Sequence, residues 1–171
     1  ASIIHGNETG SLPALIHLAR ELSSQPHAYK GRVTFILGNV EAAIQNKRFL
    51  EADLNRVFGK ESPPSLERTR AQELMPLLRD ADLFIDFQQT ILDSHQPFYI
   101  FPFHEPLYQW ARLLGGADIL VTRAPGQSFS RDKVCADEYV RQNGHIGFTI
   151  EMGRMGLTDI AYDTTTKVIR R

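Results

Sequence analysis

Cysteine is almost missing from this 171-residue sequence. Cys135 is the single example, which rules out an internal disulfide and is compatible with a reducing, cytoplasmic setting. Net charge is nearly missing too, at -1, so no basic excess marks a nucleic-acid footprint or a membrane-binding face. No apolar run approaches the roughly 20 residues of a membrane span. The amino end lacks the basic-then-apolar pattern of a signal peptide. Repeats and low-complexity tracts are also absent. There is no initiator methionine, and the chain opens inside a strand-like run, so a piece of a longer protein is expected. What is present is 42% hydrophobic and 23% charged, which suits one globular domain over residues 1–171.

Periodicity alternates along the chain. Ile3-Ile4 reads as the end of a buried strand, and Leu12, Leu15, Ile16, Ala19 and Leu22 then recur at helical spacing, with Ser11 as cap. Val33 to Leu37 is a β-branched and aromatic run closed by Gly38-Asn39, which predicts a strand. Ser65 should cap a helix with Ala71, Leu74 and Leu78 inward, kinked or shortened by Pro76. Strands are expected at 83–85, 98–101, 119–121 and 146–150, and helices at about 107–114 and 130–142. The alternation predicts an α/β three-layer sandwich around a mostly parallel, mixed sheet, with its site beyond the carboxyl ends of the strands.

Four features fall at those ends: His5, Gly38-Asn39, Gln88 and Glu151 each follow an apolar run. His5-Gly6-Asn7-Glu8 supplies nitrogen and carboxylate donors three residues apart, a pairing suited to zinc. The stretch Arg48 to Arg56 holds two fixed cations, Asp53 and Asn55. Beside a metal-ligand pair, such cations suit a substrate carboxylate and a developing oxyanion, although a solvated loop with surface ion pairs would read the same. Cys135 sits in a helix-like stretch among Lys133, Val134 and Ala136, which points to a structural role.

Taken in order, HGNE, Asp53-Leu54-Asn55-Arg56, Asp86-Phe87 and Thr149-Ile150-Glu151-Met152-Gly153 resemble the succinylglutamate desuccinylase and aspartoacylase family, a branch of the zinc carboxypeptidase-like clan. The resemblance implies one zinc ion per chain, with His5 and Glu8 as its first two ligands. Asp53 would accept a hydrogen bond from His5 and fix its tautomer. Arg48 would polarise the scissile carbonyl, Asn55 and Arg56 would grip a free carboxylate, and Glu151 would act as general base. A β-rich domain that narrows the pocket would follow the catalytic domain.

The sequence departs from that pattern at Gln88, where the family's third ligand is a histidine. An amide oxygen is a much weaker donor to zinc than imidazole. The exchange could be deliberate, natural in a non-catalytic relative, or compensated by His95 from the loop Asp93-Ser94-His95-Gln96. His17, His27, His104 and His145 read as structural or solvated. The expected function is a zinc-dependent amide hydrolase for an N-acyl amino acid or short peptide with a free carboxylate, impaired at Gln88. The alternatives are a metal-free carboxylate-binding module and a plain structural domain.

Overall fold

The computed structural model describes residues 1–25, 30–92, 94–125, 127–131 and 133–171. His27 and Asp93, both named above, lie outside the described residues. Among the described residues, four strands build the sheet: β1 (Leu83–Thr90), β2 (Phe98–Pro102), β3 (Ile119–Arg123) and β4 (Ile146–Arg154). Their order is β1-β4-β2-β3. The pairs β1/β4 and β2/β3 are parallel, and β2/β4 is antiparallel.

Helices cover both faces. Residues Leu15 of α1 (Leu12–Ser24), Leu107 and Ala111 of α4 (Glu105–Leu114), and Ala161 and Val168 of α6 (Asp159–Ile169) pack on Phe87, Phe148, Ile150 and Met152. On the opposite face, Leu74 and Leu78 of α3 (Leu66–Arg79) and Val140 of α5 (Ala136–Gln142) enclose Phe84 and Ile4. A Cβ on Gly147 of β4 would lie 2.4 Å from the Asp137 carbonyl, so the missing side chain lets α5 lie directly on the sheet. This is the three-layer α/β sandwich that the alternation predicts. Side chains alternate across a strand. With Phe87 and Ile150 facing α1, α4 and α6, the polar residues Asp86, Gln88 and Glu151 fall on the α3/α5 face.

Several expected elements differ. Ile3-Ile4 is not a strand: Ser2 alone forms bridges, to Leu37 and Phe87, because Ile3 turns out of line at φ 51°. Val33–Leu37 likewise has a single bridge at Leu37, since only Ser2 lies beside it. Ile16 points to solvent, and Leu18 takes its place in the core. Ser11 occupies the cap position of α1 without capping: its hydroxyl lies 2.5 Å from that of Ser2. Ser65 does cap α3, accepting from the Arg68 amide at 3.0 Å, and that helix runs past Pro76 to Arg79. Helix α5 begins only at Ala136, because Val134 is held extended by a bridge to Val57. Cys135 is therefore the residue before the helix, and burial pushes its thiol up to about 12, in keeping with a structural role. Helix α6 carries no expectation from the sequence at all.

Candidate active site

Parallel pairing of β1 and β4 sets Gln88 opposite Glu151, and the bridge from Ser2 to Phe87 brings the HGNE turn alongside. The positive φ of Ile3, rare for a β-branched residue, redirects the chain, and the Glu8 amide then donates to the His5 carbonyl at 3.0 Å. Gly6 is required here. A Cβ would sit 2.4 Å from the Ala43 nitrogen of the short helix α2 (Val40–Ile44). The Gly6 amide instead donates to the Arg48 carbonyl at 3.0 Å, which joins the turn to the Arg48–Arg56 stretch.

Four of the sequence-predicted residues converge at that junction. His5 Nε2 lies 3.0 Å from Asp53 Oδ1, and His5 Nδ1 lies 2.9 Å from Glu8 Oε1. Arg48 donates from Nη1 to Glu8 Oε1 at 2.7 Å, and its Nη2 approaches His5 Nε2 at 2.8 Å. One ring nitrogen cannot donate to Asp53 and accept from Arg48 at once. The carboxylate favours Nε2–H, so the Arg48 approach is a close contact of two donors. Asp53 Oδ1 also accepts from the Asn55 amide at 2.9 Å, capping the short 3₁₀ turn Leu54–Arg56. Burial opposes charge on His5, but the Asp53 and Glu8 carboxylates outweigh it and raise the imidazole to about 9. Burial likewise opposes charge on Asp53, yet bonding to His5 brings its carboxyl below the usual range.

Glu8 is held from its far side by the Gln89 amide, which donates to Oε2 at 3.0 Å. The Gln89 side chain accepts from the Gly10 amide at 2.8 Å and donates to the Arg154 and Gly156 carbonyls, so it ties the HGNE loop to the end of β4. Glu151 has one buried oxygen, Oε2, without a hydrogen-bond partner. Burial, followed by the negative Glu8 and Asp86, raises its carboxyl to about 7. Asp86 is fully enclosed, and burial raises it to about 7 as well. It accepts a short hydrogen bond from the Gln88 amide group, which leaves the Gln88 carbonyl oxygen as the atom that could face a metal.

Asn55 Oδ1 accepts from the Ala136 amide at 3.0 Å, at the start of α5, so its NH₂ is the group left for a ligand. Arg56 donates to the Asn55 carbonyl at 2.7 Å. His95 is exposed. Among the described residues no group of three or more His, Cys, Asp or Glu side chains is arranged to hold a metal, so His95 does not complete a set with His5 and Glu8.

Residues 3–169 match the succinylglutamate desuccinylase/aspartoacylase catalytic domain. The chain belongs to that family. It is 31% identical over 176 residues to a succinylglutamate desuccinylase of Serratia proteamaculans, covering 92% of this chain and 52% of the relative. It is 35% identical over 168 residues to one of Pseudomonas paraeruginosa, covering 88% and 48%. The chain thus spans about half the length of the curated relatives it matches. Among solved structures, the succinylglutamate desuccinylase of Vibrio parahaemolyticus superposes with a TM-score of 0.80 at 22% identity, covering 98% of this chain and 63% of that one. Murine aminoacylase 3 follows at a TM-score of 0.64 and 22% identity, covering 99% and 60%. These likenesses fix the zinc carboxypeptidase-like fold of this family member.

Two residues that matter here escape the sequence reading. Gln89 gave no signal. Glu67 did, as an acidic residue in the first turn of a Ser65-capped helix. Its carboxylate accepts from the Leu50, Glu51 and Ala52 amides and from Asn39, and so fixes the loop that carries Arg48 and Asp53.

Proposed function

We propose that this chain is the catalytic domain of a zinc-dependent amide hydrolase for N-acyl amino acids with a free carboxylate, weakened by Gln88. The observation that carries the reading is the buried His5–Glu8 pair, with His5 Nδ1 2.9 Å from Glu8 Oε1, while Asp53 engages the other ring nitrogen. That arrangement suits a ligand nitrogen and a ligand carboxylate for one cation. His5 and Glu8 would hold the zinc, with the Gln88 carbonyl oxygen as a weak third donor. Zinc, when bound, supplies Lewis acidity that polarises an amide carbonyl and acidifies a water.

The protein's own groups account for the remaining steps. Glu151, with its carboxyl near 7, is suited to take a proton from the attacking water and return it to the leaving amine nitrogen. Arg48 would donate to the carbonyl oxygen as negative charge develops there. It would first release Glu8 Oε1, the ligand oxygen it now shares with His5. The Asn55 NH₂ and the Arg56 guanidinium would bind the substrate's free carboxylate. Relatives named succinylglutamate desuccinylases make N-succinylglutamate the first substrate to assay. With saturating zinc, slow hydrolysis that Glu151→Gln abolishes supports the proposal; turnover unchanged in Glu151→Gln contradicts it.

A metal-free carboxylate-binding module is the second reading. It rests on Arg48, which already neutralises Glu8 where a metal would. Tight binding of N-succinylglutamate to the zinc-free chain, with no turnover under any metal, would select it.

A further inference from the structure

Gln89 is 2% exposed, and none of the steps proposed for the site uses it. Its main-chain role follows from the edge of β1. Amide groups two residues apart on a strand point to the same edge. The Phe87 amide donates to the Ala1 carbonyl at 3.1 Å, so the Gln89 amide points along that edge too, away from β4. A strand running straight on from Ser2 would meet it with the Ile3 carbonyl. Ile3 instead turns out at φ 51°, and its carbonyl accepts from the Asn39 amide at 2.7 Å. Glu8 Oε2 takes that place in the ladder, 3.0 Å from the Gln89 nitrogen. The carboxylate thus stands in for a strand carbonyl, and its other oxygen is turned to His5 Nδ1.

The neighbouring strand is irregular at the same level. Gln88 pairs with Glu151 but Thr90 pairs with Arg154, so Met152 and Gly153 both stand opposite Gln89. This is a β-bulge, and Gly153 carries it at φ 87°. Beyond the bulge, the Arg154 and Gly156 carbonyls accept from Gln89 Nε2 at 2.6 and 2.9 Å. Gln89 Oε1 accepts from the Gly10 amide at 2.8 Å. A Cβ on Gly10 would lie 2.4 Å from Nε2, so the turn closes directly on this side chain.

One acceptor and two donors are what a glutamine amide offers, and all three are used. Glutamate would lack the donors, and asparagine is one methylene shorter.

We propose that Gln89 is a positioning residue for the candidate site. Its main-chain amide sets the Glu8 carboxylate, and its side chain locks the HGNE turn to the strand that bears Glu151, so that Glu8 and Glu151 keep a fixed separation. The consequence for metal binding rests on the zinc reading above; the placement of Glu8 does not.

The test uses two variants. Gln89→Leu keeps the main-chain amide and loses all three side-chain bonds. Gly10→Ala leaves Gln89 in the chain and pushes its side chain away. Amide exchange at positions 10 and 89 is read by NMR on the zinc-free chain. Zinc dissociation is read by chelator competition, with Gln88→His added to every form. Both variants should quicken exchange at the two amides at least about tenfold, while Leu74 and Val140 in the α3/α5 core keep their protection. Zinc binding should weaken by about 10- to 100-fold in both. Unchanged exchange at position 89 overturns the proposal, and so does zinc binding within about twofold of the parent despite faster exchange. An equal loss of protection at Leu74 and Val140 also overturns it, because Gln89 would then be a general stabiliser. Zinc binding in none of the forms counts against the zinc reading; faster exchange at position 89 would still support the placement of Glu8, and unchanged exchange would still overturn it.

Discussion

Removing the buried Glu67 carboxylate should cost about as much as truncating a core leucine. Glu67 is 1% exposed, and both its oxygens are engaged. Oε1 accepts from Leu50 at 2.7 Å and from Asn39 Nδ2 at 3.1 Å; Oε2 accepts from Ala52 at 3.0 Å and from Glu51 at 3.2 Å. Those bonds outweigh the desolvation that would raise its carboxyl, and they bring it below the ordinary range. In Glu67→Ala three backbone amides lose their acceptor. At about 1–3 kcal/mol for each unsatisfied group, and with part of the loop relaxing to reach water, the loss should be about 3–5 kcal/mol. Glu67→Gln sets an NH₂ against one pair of donors and should lose about 2 kcal/mol. Urea unfolding at pH 7 under chelator reads both. A loss below about 1 kcal/mol in Glu67→Ala would mean that the amides of 50–52 find water without penalty, and that Glu67 is not what fixes this loop.

Three further expectations concern the site. Asp53→Asn removes the main group that raises His5, so the His5 titration, followed by NMR, should move down from about 9. The same change should weaken zinc binding by about 10- to 100-fold, and an unmoved titration would contradict the pairing. Stability of the chelator-treated protein should fall as pH rises from about 5 to 7 and level off between about 7 and 8, where the buried Ala1 ammonium, lowered to about 6, acts in the opposite direction. His5, Asp86 and Glu151 all have folded-state values above their ordinary ones, so the folded chain holds the extra protons in that window and loses the advantage as pH passes about 7 for the carboxyls and about 9 for His5. Glu151, raised from 4.5 to about 7, accounts for at most about 3 kcal/mol, so Glu151→Gln should visibly flatten the urea-midpoint profile between pH 5 and 7; a wild-type profile that rises over that range would be inconsistent with the site.

How far the sequence discloses this protein depends on which physical signal each part carries. Ala71, Leu74 and Leu78 behind a Ser65 cap form a helix stripe legible without coordinates, and β1 and β4 are apolar runs that lead straight into polar site residues. Helix α6 was opaque because threonine reads as polar and β-branched. In the fold, Ala161, Thr164, Thr165 and Val168 are its buried stripe, and Thr165 is tolerated there because its hydroxyl donates to the Ala161 carbonyl at 2.7 Å. Val33–Leu37 shows the converse: its strand composition is legible, but among the described residues its bridge is at Leu37, to Ser2. The meeting of His5, Glu8, Arg48 and Asp53 could be expected only through family resemblance. The backbone anchors at Gln89 and Glu67 depend on loops meeting in space, and no spacing rule announces them.

Sequence chemistry and fold meet at Gln88, opposite Glu151 and bonded to the buried Asp86. The most direct measurement is zinc content together with N-succinylglutamate hydrolysis, on this chain and on Gln88→His side by side. The variant should retain about one zinc through gel filtration and turn over at a clearly higher rate, while the chain as it stands loses its metal and is slow. Equal zinc retention and equal rates would contradict this expectation, and would show that the amide at position 88 does not limit the site.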